Sequence, residues 1–184
     1  VIQGGAELDL RERCARELVK LNFDGYGFGA RHIDQTGKFL GKVLKFTADL
    51  IPDDKIKFAL GVGLPEDIVR CYRLGWDIFD CVIPTREGRH GKLFFWKNRG
   101  KKSPLLFKEG SGGGYDNFYQ TINISNAKFA ADFSPINPLS KIAELRDHSK
   151  AYLHHLFKIN DPLGARLAEL NNLEFYGRLL AELK

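Results

Sequence analysis

Ile56-Lys57-Phe58-Ala59-Leu60-Gly61-Val62-Gly63-Leu64-Pro65-Glu66-Asp67 opens a segment that runs through Gly75 to Ile78-Phe79-Asp80-Cys81-Val82-Ile83. Ile56 to Val62 is an apolar run of strand length. Pro65 sits where a first helical turn begins and its missing N–H costs nothing, and Glu66 and Asp67 suit the positive end of a helix dipole. Gly75 closes that helix, and Ile78 to Ile83 predicts the next strand. Strand, helix and strand in so short a span imply parallel pairing with a crossover helix.

The same alternation extends toward the amino terminus. Phe39, Leu40, Val43, Leu44, Thr47 and Leu50 form a helical stripe stopped by Pro52, and Phe23 to Phe28 is a short strand. Leu10, Cys14, Leu18 and Leu21 recur at helical spacing, and Val1-Ile2-Gln3 reads as the end of a strand, so the chain is expected to be a piece of a longer protein. Four short strands separated by amphipathic helices predict an α/β fold, half of an eight-stranded βα (TIM) barrel. A doubly wound open sheet is the alternative, disfavoured because no Gly-x-Gly-x-x-Gly turn follows any strand.

Residues 1–92 would form the barrel half, 93–121 an insertion and 122–184 a helical region. Within the insertion, Leu93 to Trp96 and Leu105 to Phe107 predict a β-hairpin, and Gly110 to Gly114 reads as a linker, since no lysine-serine pair follows it. Further on, Asp161-Pro162 predicts one helix start, and Asn171 or Asn172 the start of the last helix.

The 184 residues are 43% hydrophobic and 12% aromatic, enough for a packed core and too much for a disordered chain. No run approaches the roughly 18 apolar residues a membrane span needs, so a soluble, cytoplasmic protein is expected. Cys14, Cys71 and Cys81 stand far apart without a Cys-x-x-Cys pair, which argues against disulfides and thiolate metal sites. The net charge is +5, but Pro84 to Gly110 alone holds eight Lys and Arg against two Glu, a local +6. Such a concentration suits a phosphate-binding surface as well as a solvated loop.

In a βα barrel the reactive groups lie at the carboxyl ends of the strands, here Gln3, Gly29, Leu60-Gly61 and Asp80. Asp80 falls among Phe79, Cys81 and Val82, where an unpaired charge is costly. Spacing alone favours a structural carboxylate capping the following loop; a reactive carboxylate is the alternative. Arg86 and Arg89, three apart beside it, suit a phosphate clamp. His154 and His155 lack a supporting donor set and read as packing or surface residues.

Several blocks together resemble the tRNA-guanine transglycosylase family: Gln3-Gly4-Gly5, Phe23-Asp24-Gly25-Tyr26, Leu60 through Asp67, Phe79 through Arg86, Ile122-Asn123-Ile124-Ser125-Asn126-Ala127, and Ser149 through Leu156. The resemblance implies a βα barrel that exchanges guanine at the anticodon wobble position of tRNA for a 7-deazaguanine, and it makes the predicted half-barrel the carboxyl-terminal half. It implies that Asp80 attacks the ribose anomeric carbon and holds the RNA covalently until the incoming base displaces it. Gln3, Gly29 and Ala30 would line the base pocket with Leu60 against the base. Gly61, Val62, Gly63, Leu64, Pro65, Glu66 and Asp67, with Thr85, Arg86, Glu87, Gly88 and Arg89, would hold the RNA.

Three departures accompany the resemblance. The family's general base and a second base-reading Asp belong to the barrel half that is not in this chain, so the piece alone is expected to be inactive. Gly29-Ala30-Arg31-His32-Ile33-Asp34-Gln35 stands where the family has Gly-Gly-Leu-Ala-Val-Gly-Glu, which leaves the identity of the incoming base open. The family's zinc ligands, Cys-x-Cys-x-x-Cys and a later His, fall at Ser140, Ile142, Leu145 and Asn171, so no zinc or other cofactor is expected, and the homodimer built near that region becomes less secure. A non-catalytic tRNA-binding paralogue or subunit is the alternative function, and a barrel hydrolase of another nucleoside a weaker one.

Overall fold

The computed structural model describes residues 1–97 and 118–183. The elements run α1 (Leu8–Val19), β1 (Gly25–Phe28), α2 (Gly41–Asp49), β2 (Ile56–Leu60), α3 (Pro65–Arg73), β3 (Ile78–Asp80), α4 (Ile83–Arg89), β4 (Lys92–Trp96), β5 (Tyr119–Asn123), α5 (Ala143–Asp147), α6 (Lys150–Lys158) and α7 (Pro162–Leu183). The chain divides into two compact units, Val1–Cys81 and Val82–Lys184. The expected strand at Leu105 to Phe107 and the linker at Gly110 to Gly114 lie outside the described residues.

In the first unit β1, β2 and β3 pair in that order, both pairs parallel. The expected amino-terminal strand is reduced to one parallel bridge: Ile2 donates its N–H to the Gly27 carbonyl at 2.8 Å and accepts the Gly29 N–H at 2.9 Å. Gly4 and Gly5 follow at once with positive φ, which turns the chain away from the sheet. Ile2, Phe28, Ala59, Val62, Val69 and Trp76 are fully buried, and the Phe28 and Trp76 rings meet edge to face at 5.6 Å.

Two expectations are corrected in this unit. The stripe Leu10, Cys14, Leu18 and Leu21 is not the buried face of α1: Leu10 and Leu21 are 50% and 64% exposed, whereas Arg11 and Ala15 are buried. The helix is phased by the hydrogen bonds of Arg11 rather than by its leucines. The strand expected from Ile78 to Ile83 ends at Asp80, because Pro84 lies in the first turn of α4 and cannot donate to a ladder.

In the second unit β4 and β5 pair antiparallel from Lys92↔Asn123 to Trp96↔Tyr119. Leu93, Ile124, Ile136, Leu145, Leu153, Leu156, Leu167 and Ala168 make its apolar core. Phe94 stacks with Tyr119, Phe175 and Tyr176 at 5.6 to 5.7 Å between ring centres.

Residues 162–183 form one helix, so neither Asn171 nor Asn172 begins a new one. Both amides are buried and turned to β4 instead of to their own backbone. Asn172 accepts the Phe94 N–H at 3.0 Å and donates to the Pro84 and Lys92 carbonyls, each at 2.9 Å; Asn171 donates to the Phe94 carbonyl at 3.0 Å. Asp161 accepts the Leu163 N–H at 2.8 Å and caps the helix start, as its position before Pro162 leads one to expect.

Candidate functional site

The parallel pairing brings Gln3, Gly29, Leu60 and Asp80 to successive strand ends. With neighbouring strands about 4.8 Å apart, the four ends span roughly 15 Å. Leu60 and Asp80 are register partners across β2 and β3. Asp80 is exposed, not enclosed among apolar neighbours, and its Oδ1 accepts the Gly61 N–H at 2.9 Å. The carboxylate is thus held from the neighbouring strand's loop rather than by capping its own. Gly61 adopts φ +70°, the left-handed backbone that favours glycine and aims this N–H at Asp80.

Gln3 and Gly29 are adjacent. A Cβ on Gly29 would fall 2.7 Å from the Gln3 side-chain carbon and amide nitrogen, so only glycine leaves the exposed carboxamide its position. A Cβ on Gly27 would meet Leu60 Cδ1 at 2.7 Å, which places the Leu60 side chain over β1. Ala30 is exposed at the beginning of the loop between β1 and α2.

Arg11 organises this edge and was not singled out by the sequence. It is fully buried, with Nε donating to the Gly5 carbonyl at 2.7 Å and longer bonds of 3.4 Å to the carbonyls of Ile2 and Gly29. Its guanidinium lies 4.2 Å over the Phe28 ring, and burial pulls its pKa below the usual arginine value. The Gln3 N–H meets Cys14 Sγ at 3.3 Å. One cation therefore fixes both the Gln3-Gly4-Gly5 turn and Gly29.

The segment Gly61 to Asp67 is mixed in exposure. Gly61 and Leu64 are exposed and Glu66 is half-buried, whereas Val62, Gly63, Pro65 and Asp67 are buried. Asp67 faces the protein: it accepts Arg70 Nη1 at 3.0 Å and His32 Nε2 lies 3.2 Å away.

In the second unit, Arg86 and Arg89 are about half exposed and each contacts a carboxylate, Glu87 at 3.5 Å and Glu169 at 3.1 Å. Exposed pairs of this kind are worth at most about 1 kcal/mol, so both cations remain available to a phosphate. Glu87 also meets Lys92 at 3.3 Å. Thr85 donates to the Val82 carbonyl at 3.3 Å. Gly88 is a packing residue: its Cβ would lie 2.9 Å from the Glu169 nitrogen, so α4 and α7 approach backbone to backbone.

The comparisons with known proteins bear on this arrangement. The pattern that defines the queuine tRNA-ribosyltransferase family matches residues 1–184. The chain belongs to that family. It is 37% identical over its whole length to the queuine tRNA-ribosyltransferase of Hamiltonella defensa subsp. Acyrthosiphon pisum, covering 44% of that protein. It is 36% identical to those of Aliivibrio salmonicida and Rickettsia rickettsii, again over all its residues and covering 43% and 45% of theirs. The chain therefore spans less than half the length of these relatives.

Ser140, Ile142, Leu145 and Asn171 do not fit a zinc ion. They offer no thiolate or imidazole, and their polar atoms are engaged: Ser140 Oγ donates to Glu174 at 2.5 Å and accepts the Ile142 N–H at 3.0 Å, while Asn171 Oδ1 accepts Asn137 Nδ2 at 3.0 Å. Leu145 is fully buried in the apolar core. Among the described residues no cluster of three His, Cys, Asp or Glu could hold a metal. His154 is buried and donates Nδ1–H to the Ile124 carbonyl at 2.7 Å, while His155 is exposed. No described helix is long and apolar enough to cross a membrane.

Proposed function

We propose that the full-length protein exchanges guanine at the tRNA wobble position for a 7-deazaguanine, and that residues 1–81 are part of a βα barrel supplying its nucleophile. The observation that carries this is the Asp80 carboxylate, exposed at a strand end, anchored by the Gly61 N–H and aligned with Leu60. Family membership over the whole chain supports it.

In the proposed reaction an Asp80 oxygen attacks the ribose C1′ as the C1′–N bond to guanine breaks. The electron pair leaves with guanine, which takes a proton from an acid outside these residues. The ring nitrogen of the incoming base then attacks C1′, gives its proton to the conjugate base of that acid and expels the Asp80 carboxylate. Both displacements invert C1′, so configuration is retained overall.

Gln3 offers a donor and an acceptor to the base edge, with Gly29 and Ala30 as backbone contacts and Leu60 against the ring. Gly61, Leu64 and Glu66 face the RNA on a frame made by Val62, Gly63, Pro65 and Asp67. Arg86 and Arg89 hold phosphates, with Thr85, Glu87 and Gly88 shaping their helix. The protein works without zinc or other cofactor, in the cytoplasm where its tRNA resides.

The test is incorporation of labelled guanine into unmodified tRNA by the full-length protein. Time-dependent incorporation supports the proposal. Tight RNA binding without incorporation would instead identify a non-catalytic tRNA-binding subunit, a reading to which the altered loop at Gly29 to Gln35 lends support.

A further inference from the structure

The loop between β1 and α2, residues 29–40, leaves the strand end at Gly29 and is closed on itself by local bonds. Leu40 donates its N–H to the His32 carbonyl at 2.9 Å, Ile33 and Phe39 form an antiparallel bridge, and the Asp34 carboxylate accepts the Thr36 N–H, the Thr36 hydroxyl and the Lys38 N–H at 2.7 to 2.9 Å. A loop satisfied internally can still move as a body. What fastens it to the rest of the unit is its inward side: His32 Nε2 stands 3.2 Å from Asp67 Oδ2 in the first turn of α3, and Arg70 of the same helix lies 5.2 Å from the Phe39 ring centre.

Asp67 is nearly buried and His32 mostly so, with side chains 5% and 13% exposed. The other Asp67 oxygen is occupied by Arg70 at 3.0 Å, so the carboxylate is charge-compensated and oriented before His32 reaches it. His32 also packs edge-on against Phe39 at 6.4 Å. Its neighbours Arg31 and Gln35 through Lys38 are exposed. A mostly buried imidazole aimed at a buried carboxylate, two residues after Ala30, is more than a surface contact.

We propose that His32 is a positioning residue: its Nε2–H bond to Asp67 latches the loop to α3 and thereby presets the Gly29-Ala30 backbone against the exchanged base. The inference rests on the function proposed above and names the residue that governs affinity for the incoming base. Gly29 is already tied on its strand side by Ile2 and Arg11. The latch holds the opposite side, where the chain leaves Ala30. Losing it weakens base binding and leaves RNA contacts on other segments in place.

Two polar substitutions separate this role from general loop stability. Glutamine carries its amide nitrogen about as far from the backbone as Nε2, whereas asparagine reaches only the Nδ1 position. In guanine exchange by the full-length protein, His32→Asn is expected to raise KM for guanine about tenfold, the size of one lost charge-assisted hydrogen bond, with KM for tRNA unchanged. His32→Gln is expected to stay within about twofold of the parent. Equal behaviour of the two variants, whether both unimpaired or both impaired, overturns the latch, as does a rise confined to KM for tRNA. An inactive parent protein with intact tRNA binding overturns the proposed exchange instead.

Discussion

Asp80 and Gly61 are joined across neighbouring strand ends by a 2.9 Å bond from the glycine N–H to the carboxylate. The bond orients a side chain that would otherwise sample several rotamers at the strand end, the pre-orientation that the proposed role of Asp80 as nucleophile calls for. The left-handed backbone of Gly61 makes the bond and also resists replacement of this residue.

Gly29→Ala should displace Gln3. The new methyl would sit 2.6 Å from Val1 Cγ1 and 2.7 Å from the Gln3 side-chain carbon, closer than real contacts allow. Steady-state exchange is expected to show KM for guanine raised about tenfold, with KM for tRNA unchanged. An unchanged KM for guanine would remove Gln3 from the base pocket.

Asn172→Ala should destabilise the second unit through β4. The Phe94 N–H and the Pro84 and Lys92 carbonyls would lose their partner in a buried site, a cost of about 3 kcal/mol. Urea unfolding of the full-length protein measures it, with Leu173→Ala, at a position 49% exposed, expected to cost below about 1 kcal/mol.

Strand and helix alternation was readable because Pro52, Pro65, Gly75 and Asp161-Pro162 punctuate it locally. Less readable were features set by distant partners. Nothing near Arg11 in sequence reveals that the Ile2, Gly5 and Gly29 carbonyls will surround it, so the leucines of α1 suggested the wrong face. Asn171 and Asn172 resemble helix starts until β4 is there to receive their amides. The strand-end positions of Gln3, Gly29, Leu60 and Asp80 were legible from the alternation, whereas Asp67 gave no sign that His32, 35 residues earlier, would meet its carboxylate.

Cys71 should resist thiol reagents in the folded protein. Burial first, and then the nearby Asp67 charge, push its pKa up to about 12, so at pH 8 only ~10⁻⁴ of it is thiolate. The raised value favours the neutral thiol in the folded state. Its effect is absent below the unfolded pKa of about 8.5, and as pH rises above that value the unfolded chain releases a proton that the folded one keeps, so stability falls. Mass-resolved alkylation at pH 8 is expected to leave Cys71 unmodified until denaturant is added; rapid labelling of native protein would contradict its burial.

Metal removal should change nothing. With Ser140, Asn171 and Glu174 engaged in hydrogen bonds, the full-length protein is expected to contain substoichiometric zinc and to keep its Tm in excess chelator. One zinc per chain, lost to chelator together with stability, would show that another donor set serves.

The most direct measurement is trapping of the proposed covalent intermediate. Full-length protein mixed with unmodified tRNA and then denatured is expected to retain RNA on the polypeptide, mapped by peptide mass to Asp80, and Asp80→Ala is expected to retain none while still binding tRNA. An adduct of undiminished yield in Asp80→Ala would contradict the assignment of Asp80 as the nucleophile.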